Sequence, residues 1–104
     1  MKLVHLMEKS LVCPTCGEHN TLHHEEITVY AREDDNDVVK VVEVNPFNGD
    51  TKTVTANNGQ TNNPSPRRNA LSLTLSCETC PVGEKVHTLH VSQHKGATLL
   101  WWAK

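Results

Sequence analysis

The chain contains two short cysteine motifs, Cys13-Pro14-Thr15-Cys16-Gly17 and Cys77-Glu78-Thr79-Cys80-Pro81, which together hold all four of its cysteines. We call them the first knuckle (residues 13–17) and the second knuckle (residues 77–81). Two thiolates separated by two residues can bind one metal ion from a single tight turn, and two such turns supply the four sulfur ligands of a closed tetrahedral site. The spacing therefore predicts one structural zinc ion bound by Cys13, Cys16, Cys77 and Cys80.

Three other uses of these cysteines stay open on spacing alone: disulfides or free thiols, a redox dithiol, and iron in a rubredoxin-like site. The first nine residues contain no apolar run long enough for a secretory signal, so we expect a cytoplasmic protein. In a reducing cytoplasm, paired cysteines more often bind metal than form disulfides. Redox dithiols sit before a helix, and the sequence after Cys16 lacks a helical period.

Length and composition predict one domain over residues 1–104 with a core that is poor in large side chains, because aromatic residues make up only 4% of the chain. Such a core commonly needs a metal or a disulfide to stabilise it. No segment approaches the ~20 apolar residues that span a membrane. A net charge of −2 gives no overall attraction to nucleic acid, so binding of that kind needs a local basic patch.

Strand patterns dominate the chain. Leu71, Leu73, Leu75 and Cys77 alternate with small polar residues, which is typical of a half-buried strand over residues 70–77. Further strands are predicted over residues 27–32, 38–44, 51–55, 85–93 and 97–103. No helix is predicted beyond a turn at residues 6–10. We therefore expect an all-β fold, a small zinc ribbon built of antiparallel hairpins around the four-cysteine site.

Residues 56–69 differ in composition from the rest, because they are rich in asparagine, serine and proline and contain almost no apolar side chain. Such a segment buries too little surface to offset the entropy of ordering it. We predict a mobile polar loop here. Residues 33–37 are acidic but lack the glycine and glutamate of an EF-hand, so we expect a solvated hairpin turn.

Candidate nucleic-acid contacts are few. Arg67 and Arg68 lie at the end of the polar loop, and Lys95 lies in the predicted turn of the last hairpin. Their functional interpretation is contact with phosphates, and the alternative is a solvated charge pair that protects a strand edge. Trp101 and Trp102 point to opposite faces of a strand, which leaves one of them free for an interface or for base stacking.

The chain has seven histidines, and a second metal site could draw its donors from four of them: His23, His24, His87 and His90. His87 and His90 lie three residues apart and would face opposite sides of a strand, which argues against joint chelation. Surface histidines are the simpler interpretation. No nucleophile–base pair, phosphate loop or carboxylate pair is identifiable, so we expect no enzymatic activity and identify no small-molecule substrate.

Several motifs resemble those of small, uncharacterised zinc-ribbon proteins of bacterial and phage genomes. The similarity covers residues 13 to 102, and its motifs include both knuckles, Asn63-Pro64-Ser65-x-Arg67-Arg68 and Gln93-His94-Lys95-Gly96-x-Thr98. The resemblance implies a β-rich zinc ribbon in which the four cysteines bind zinc. It implies no activity and no catalytic residue.

The expected function is a non-enzymatic zinc-binding module. Nucleic acid is the preferred partner, since zinc ribbons are widespread in DNA-processing and transcription proteins. The alternative is a protein-interaction or assembly module that uses a sheet edge or the C-terminal tryptophan face.

Overall fold

The computed structural model describes residues 3–80 and 86–103, which form eight β-strands and one 3₁₀ helix. In chain order, the strands are β1 (Leu6–Met7), β2 (Ser10–Leu11), β3 (Leu22–Ala31), β4 (Val38–Val44), β5 (Thr51–Asn57), β6 (Ala70–Cys77), β7 (Val86–His94) and β8 (Ala97–Trp102). The 3₁₀ helix spans Asn58–Gln60. The prediction of an all-β fold is confirmed.

Six of the strands form one antiparallel sheet in the order β5-β4-β3-β6-β7-β8. The sheet consists of two three-stranded meanders, β3–β4–β5 and β6–β7–β8, which meet at the central pair of β3 and β6. That pair runs from Leu22 opposite Cys77 to Tyr30 opposite Ala70. The antiparallel hairpins predicted from the sequence are therefore present. The short strands β1 and β2 form a separate hairpin.

The bounds of strands β3 to β8 lie within one residue of the predicted ones, except at the start of β3 and at the end of β5. β5 continues to Asn57, two residues beyond the predicted end at Thr55, so residues 56 and 57 of the predicted mobile loop belong to a strand. β4 has the predicted bounds, whereas β3 begins at Leu22, five residues before the predicted start at Ile27. The turn expected at residues 6–10 connects β1 and β2, and Glu8 at its centre has a positive φ of 56°. Lys85, the first residue of the predicted strand that corresponds to β7, lies outside the described residues.

The two faces of the sheet hold separate small cores. Alternation along β6 and β7 places Leu75 and Leu89 on one face with Trp102 of β8, and these three buried side chains pack together. Val4 and Leu11 from the N-terminal segment cover them. The opposite face carries a second cluster of Tyr30, Val39 and Ala70.

The connection from β5 to β6 passes around one end of the sheet. It leaves β5 beside Asn57, which is opposite Val38, and enters β6 at Ala70, which is opposite Tyr30. We call residues 58–69 the crossover segment. It lies against the turn between β3 and β4, where Asp35 N–H donates to Arg67 O at 2.8 Å.

Side-chain hydrogen bonds also run through the crossover segment. Ser65 is buried, and its hydroxyl accepts hydrogen bonds from the backbone amides of Arg67 and Arg68. The Asn63 amide group donates to Asn58 Oδ1 and to Arg68 O. These contacts define the path of the segment; its mobility, predicted from composition, stays a prediction.

Candidate metal centre

The first knuckle is the tip of a small hairpin. Val12 and His19 form an isolated antiparallel bridge, and Cys13 N–H donates to Glu18 O at 2.8 Å. Gly17 closes the turn, since its N–H donates to Cys13 O at 3.0 Å and its φ is +78°. A side chain at that φ would be strained, so glycine suits this position.

The second knuckle begins where β6 ends. Cys77 is the last residue of that strand and pairs with Leu22 at the start of β3. Glu78 N–H donates to Thr21 O at 3.1 Å, which ties the second knuckle to the chain that leaves the first. The pairing of β3 with β6 therefore brings the two knuckles together, although Cys16 and Cys77 are 61 positions apart in sequence.

The four cysteine sulfur atoms lie within 4.8 Å of one another. The Cys13 and Cys80 Sγ atoms are 3.3 Å apart, and those of Cys16 and Cys77 are 3.7 Å apart. Four sulfurs placed at the usual ~2.3 Å from a tetrahedral zinc ion are about 3.8 Å from one another. All four thiols are free. The spacing fits a metal ion bound by four thiolates.

Burial differs among the four sulfurs. Cys13, Cys77 and Cys80 are 1%, 2% and 6% exposed, whereas Cys16 is only partly buried. Leu22 packs against this cluster. A metal ion held here would be shielded from solvent on most sides and would have no open coordination position, as in structural rather than catalytic sites.

Side-chain donors surround the sulfurs. The Thr21 hydroxyl lies 3.4 Å from Cys77 Sγ, and the Thr79 hydroxyl lies 3.3 Å from Cys16 Sγ and 3.4 Å from Cys77 Sγ. Burial raises the pKa of Cys77, but hydrogen bonds from Thr21 and Thr79 outweigh it and lower that pKa to about 5. The Thr79 hydroxyl likewise lowers the pKa of Cys16. Thiolates bind metal, so both hydroxyls favour the binding form.

Cys80 differs from these two, because burial and the neighbouring sulfurs raise its pKa. Crowding four thiols into one shielded volume disfavours four negative charges unless a cation offsets them. A divalent metal ion displaces the protons of such thiols, and its positive charge offsets the repulsion among the resulting thiolates.

The imidazole of His87 also lies at the sulfurs. Its Nε2 is 3.5 Å from Cys13 Sγ and 3.6 Å from Cys80 Sγ. From the sequence, His87 is a candidate donor only for a second metal site. The missing information was the register between β6 and β7, which places His87 beside Leu75, on the same face as Cys77.

Two other candidate histidines have different partners. His23 contacts the carboxylate of Glu78, and His90 Nδ1 shares a 2.8 Å hydrogen bond with Ser72 Oγ. Among residues 3–80 and 86–103, the four cysteines are the one group of three or more metal-binding side chains whose donor atoms lie close together.

The candidate cations lie at the opposite end of the sheet from the cysteines. Arg67 and Arg68 precede β6, and Lys95 lies in the turn between β7 and β8. Ala70, at the start of β6, pairs with Ser92, near the end of β7, so the two arginines and Lys95 lie at the same end of this strand pair. The structure thus places the three residues at one end, but it shows no contact between Lys95 and either arginine.

Both arginines are ion-paired with the acidic turn between β3 and β4. Arg67 contacts Asp35 at 2.9 Å, and Arg68 contacts Asp34 at 2.8 Å. Arg67 lowers the pKa of Asp35 through its hydrogen bond and its charge. From the sequence we expect only a solvated turn at residues 33–37. The signal that could have indicated the ion pairs is the opposite charge of residues 34–35 and 67–68, which adjoin the paired strands β3 and β6.

In the part of the chain that the structure describes, no helix has the length and hydropathy needed to cross a membrane. Comparison of the chain with known proteins finds no matching family model, no similar curated protein and no similar solved structure.

Proposed function

We propose that this chain is a non-enzymatic, zinc-dependent binding module of the zinc-ribbon type. The observation that carries the proposal is the cluster of four thiols, contributed in pairs by two hairpins, at spacings suited to tetrahedral zinc. Zinc is the metal we propose, because four cysteines in two Cys-x-x-Cys pairs are a common ligand set of structural zinc, and such a closed site does not activate water. The metal joins the N-terminal hairpin to the central strands β3 and β6.

Elemental analysis of protein purified without added metal tests the metal assignment. One zinc per chain is expected, with all four thiols protected from a thiol reagent until a chelator is added. The Cys16→Ser variant should bind zinc more weakly and leave its other thiols reactive. Stoichiometric iron in place of zinc, or reactive thiols in the metal-loaded protein, would contradict the proposal.

We further propose that the partner of this module is a second copy of the chain, paired through the outer edge of β8. Hydrogen bonds alternate along an antiparallel strand, and Ala103 N–H donates to Thr88 O. By this alternation, the outward-facing backbone groups of β8 belong to Thr98, Leu100 and Trp102. Among the described residues, no strand pairs with that edge.

The side chains of β8 support this pairing. The strand contains no charged residue, no proline and no bulge, the devices that commonly protect an edge. Leu99 and Leu100 are 43% and 48% exposed. A two-fold pairing centred on Leu100 places Leu99 of one copy opposite Trp101 of the other, a favourable aliphatic–aromatic pair.

Analytical ultracentrifugation over a concentration series tests the pairing. We expect a dimer for the parent protein and a monomer for Leu100→Pro, which removes an outward-facing N–H. The matched control is Thr53→Pro on the other edge strand, β5, where the N–H of Thr53 also faces outward by the same alternation; it should remain dimeric. Leu100→Lys provides a second variant if the proline prevents folding. A parent protein that stays monomeric contradicts the proposal.

Nucleic-acid binding is a second candidate, supported by the shared location of Arg67, Arg68 and Lys95 at one end of the sheet. The aspartate partners of both arginines offset their charges, which is why we place this candidate second. Each phosphate neutralised on duplex DNA contributes about −0.9 to the slope of log affinity against log salt.

Fluorescence anisotropy with DNA and RNA across a salt series tests this candidate. Replacing both arginines by alanine should reduce the salt slope by about two units if each contacts a phosphate. Lys52→Ala, on the edge strand β5 and distant from these residues, is the control and should leave the slope unchanged. No binding by the parent protein at low salt would exclude the candidate.

A further inference from the structure

His87 occupies a distinctive position beside the metal centre. It is the second residue of β7, and its Nε2 lies 3.5 Å from Cys13 Sγ and 3.6 Å from Cys80 Sγ. The ring meets the indole of Trp102 edge-on, with centroids 6.2 Å apart and planes 74° apart. Because Trp102 is buried, this contact fixes the orientation of the imidazole.

Three side chains together provide a donor for every sulfur. Thr79 lies within hydrogen-bond distance of Cys16 and Cys77, and Thr21 lies beside Cys77. These two hydroxyls do not reach the other pair. Among the residues that the structure describes, His87 is the side-chain donor beside Cys13 and Cys80, and it contacts both of their sulfurs.

The charge of the loaded site explains why such donors matter. Four thiolates and one divalent cation have a net charge of −2, and three of these cysteines are buried. Each N–H or O–H that points at a sulfur stabilises negative charge there and lowers the reactivity of that sulfur. Groups of this kind around metal ligands typically change metal affinity by 10- to 100-fold when they are removed.

We propose that the Nε2–H group of His87 donates a hydrogen bond shared between the Cys13 and Cys80 thiolates. It thereby positions these two metal ligands and protects them from electrophiles. His87 is a positioning residue and not a ligand, because the four sulfurs, which all lie within 4.8 Å of one another, already complete a tetrahedron. The inference rests on the proposed metal centre.

The test compares His87→Phe, which removes the donor, with His87→Gln, which retains an N–H on a side chain of similar reach. Zinc affinity is measured by competition with a chromophoric chelator, and sulfur reactivity by the rate of zinc release with N-ethylmaleimide. His87→Phe should lose 10- to 100-fold in affinity and release zinc faster, while His87→Gln should recover part of both.

His24→Phe is the matched control. His24 is an exposed histidine on β3. It pairs with Leu75 of β6, which in turn pairs with His87 of β7. Its replacement should change neither the zinc affinity nor the rate of zinc release. In ¹¹³Cd-loaded protein, cadmium should couple to the four cysteines and not to His87. ¹⁵N chemical shifts should show the Nε2–H tautomer.

The outcomes separate the two proposals. If the parent protein binds zinc but His87→Phe matches it in affinity and release rate, the role of His87 is wrong and the metal centre stands. Cadmium coupling to His87 would also overturn the positioning role, since it would make His87 a ligand. If the parent protein binds no zinc, the proposed metal centre itself fails.

Discussion

The two adjacent tryptophans show how alternation assigns roles to single residues. Trp102 is 1% exposed and packs with Leu75 and Leu89, whereas Trp101 lies on the other face against His90. The alternation of a strand predicts this division, but it does not say which of the two is buried. That depends on Val4 and Leu11, which cover one face only.

Truncation of these side chains should have unequal effects. Trp102→Ala should lower the free energy of unfolding by about 3–5 kcal/mol, the usual cost of removing a large buried aromatic side chain. Trp101→Ala is the control and should cost far less. Trp102→Phe should fall between them, because it retains a ring and removes an indole N–H that has no hydrogen-bond partner among the described residues. Urea denaturation of the zinc-loaded proteins measures all three, and equal losses for Trp101 and Trp102 would contradict the assignment.

His90 should make stability depend on pH. Burial lowers the pKa of His90 from the ordinary value of 6.5, so this residue binds a proton more weakly in the folded protein than in the unfolded chain. Stability from this residue is complete above pH 6.5 and decreases as the pH falls from there to the lowered pKa. Denaturation between pH 7.5 and 5.5 with excess zinc should show this decrease. His90→Gln should lose that component; an identical slope in both proteins would refute it.

At the level of the elements, short-range patterns and long-range contacts were not equally predictable. The alternation in β6 and the apolar run of β4 predicted both strands. The start of β3 was missed because His23, His24, Glu25 and Glu26 interrupt any alternation, and the register shifts between His24 and Glu26. The pairing of β3 with β6 joins segments about fifty residues apart, so nothing local in either strand specifies it.

The crossover segment offers a test at this scale. Ser65→Ala removes the acceptor for the amides of Arg67 and Arg68, so it should increase nanosecond motion over residues 63–68. Heteronuclear ¹⁵N relaxation measures this, with residues 71–75 of β6 as the internal reference. Low values in the parent protein would confirm the mobility predicted from composition. Unchanged values in the variant would show that Ser65 does not order the segment.

For the molecule as a whole, the sheet is a single layer with little core. The radius of gyration is 14.5 Å, against ~13 Å for a compact domain of about 100 residues, and the molecule measures 39 × 31 × 24 Å. Two small clusters on opposite faces replace one central core. The four cysteines were predictable from spacing alone, whereas Thr21 and His87 were not, because their proximity to sulfur depends on the assembled sheet.

A fold of this kind should depend on its metal. Structural zinc sites supply ~10–16 kcal/mol, as much as or more than the total stability of an ordinary domain. Chelation should therefore unfold the knuckle hairpins and the central strands, and Cys77→Ser should do the same without a chelator. Amide NMR spectra before and after chelation measure this, and readdition of zinc is the control for reversibility. An unchanged spectrum after metal removal would show that the sheet is stable by itself.

The position of the crossover segment has a consequence for dividing the chain. A cut between Asn62 and Asn63 leaves one fragment with the first knuckle and β3–β4–β5, and another with the second knuckle and β6–β7–β8. Each fragment then contains two of the four cysteines and one of the two central strands, β3 or β6. Neither half can complete the tetrahedron, but together they can. The fold thus consists of two complementary fragments, and the proposed metal centre predicts that their reassembly should require zinc.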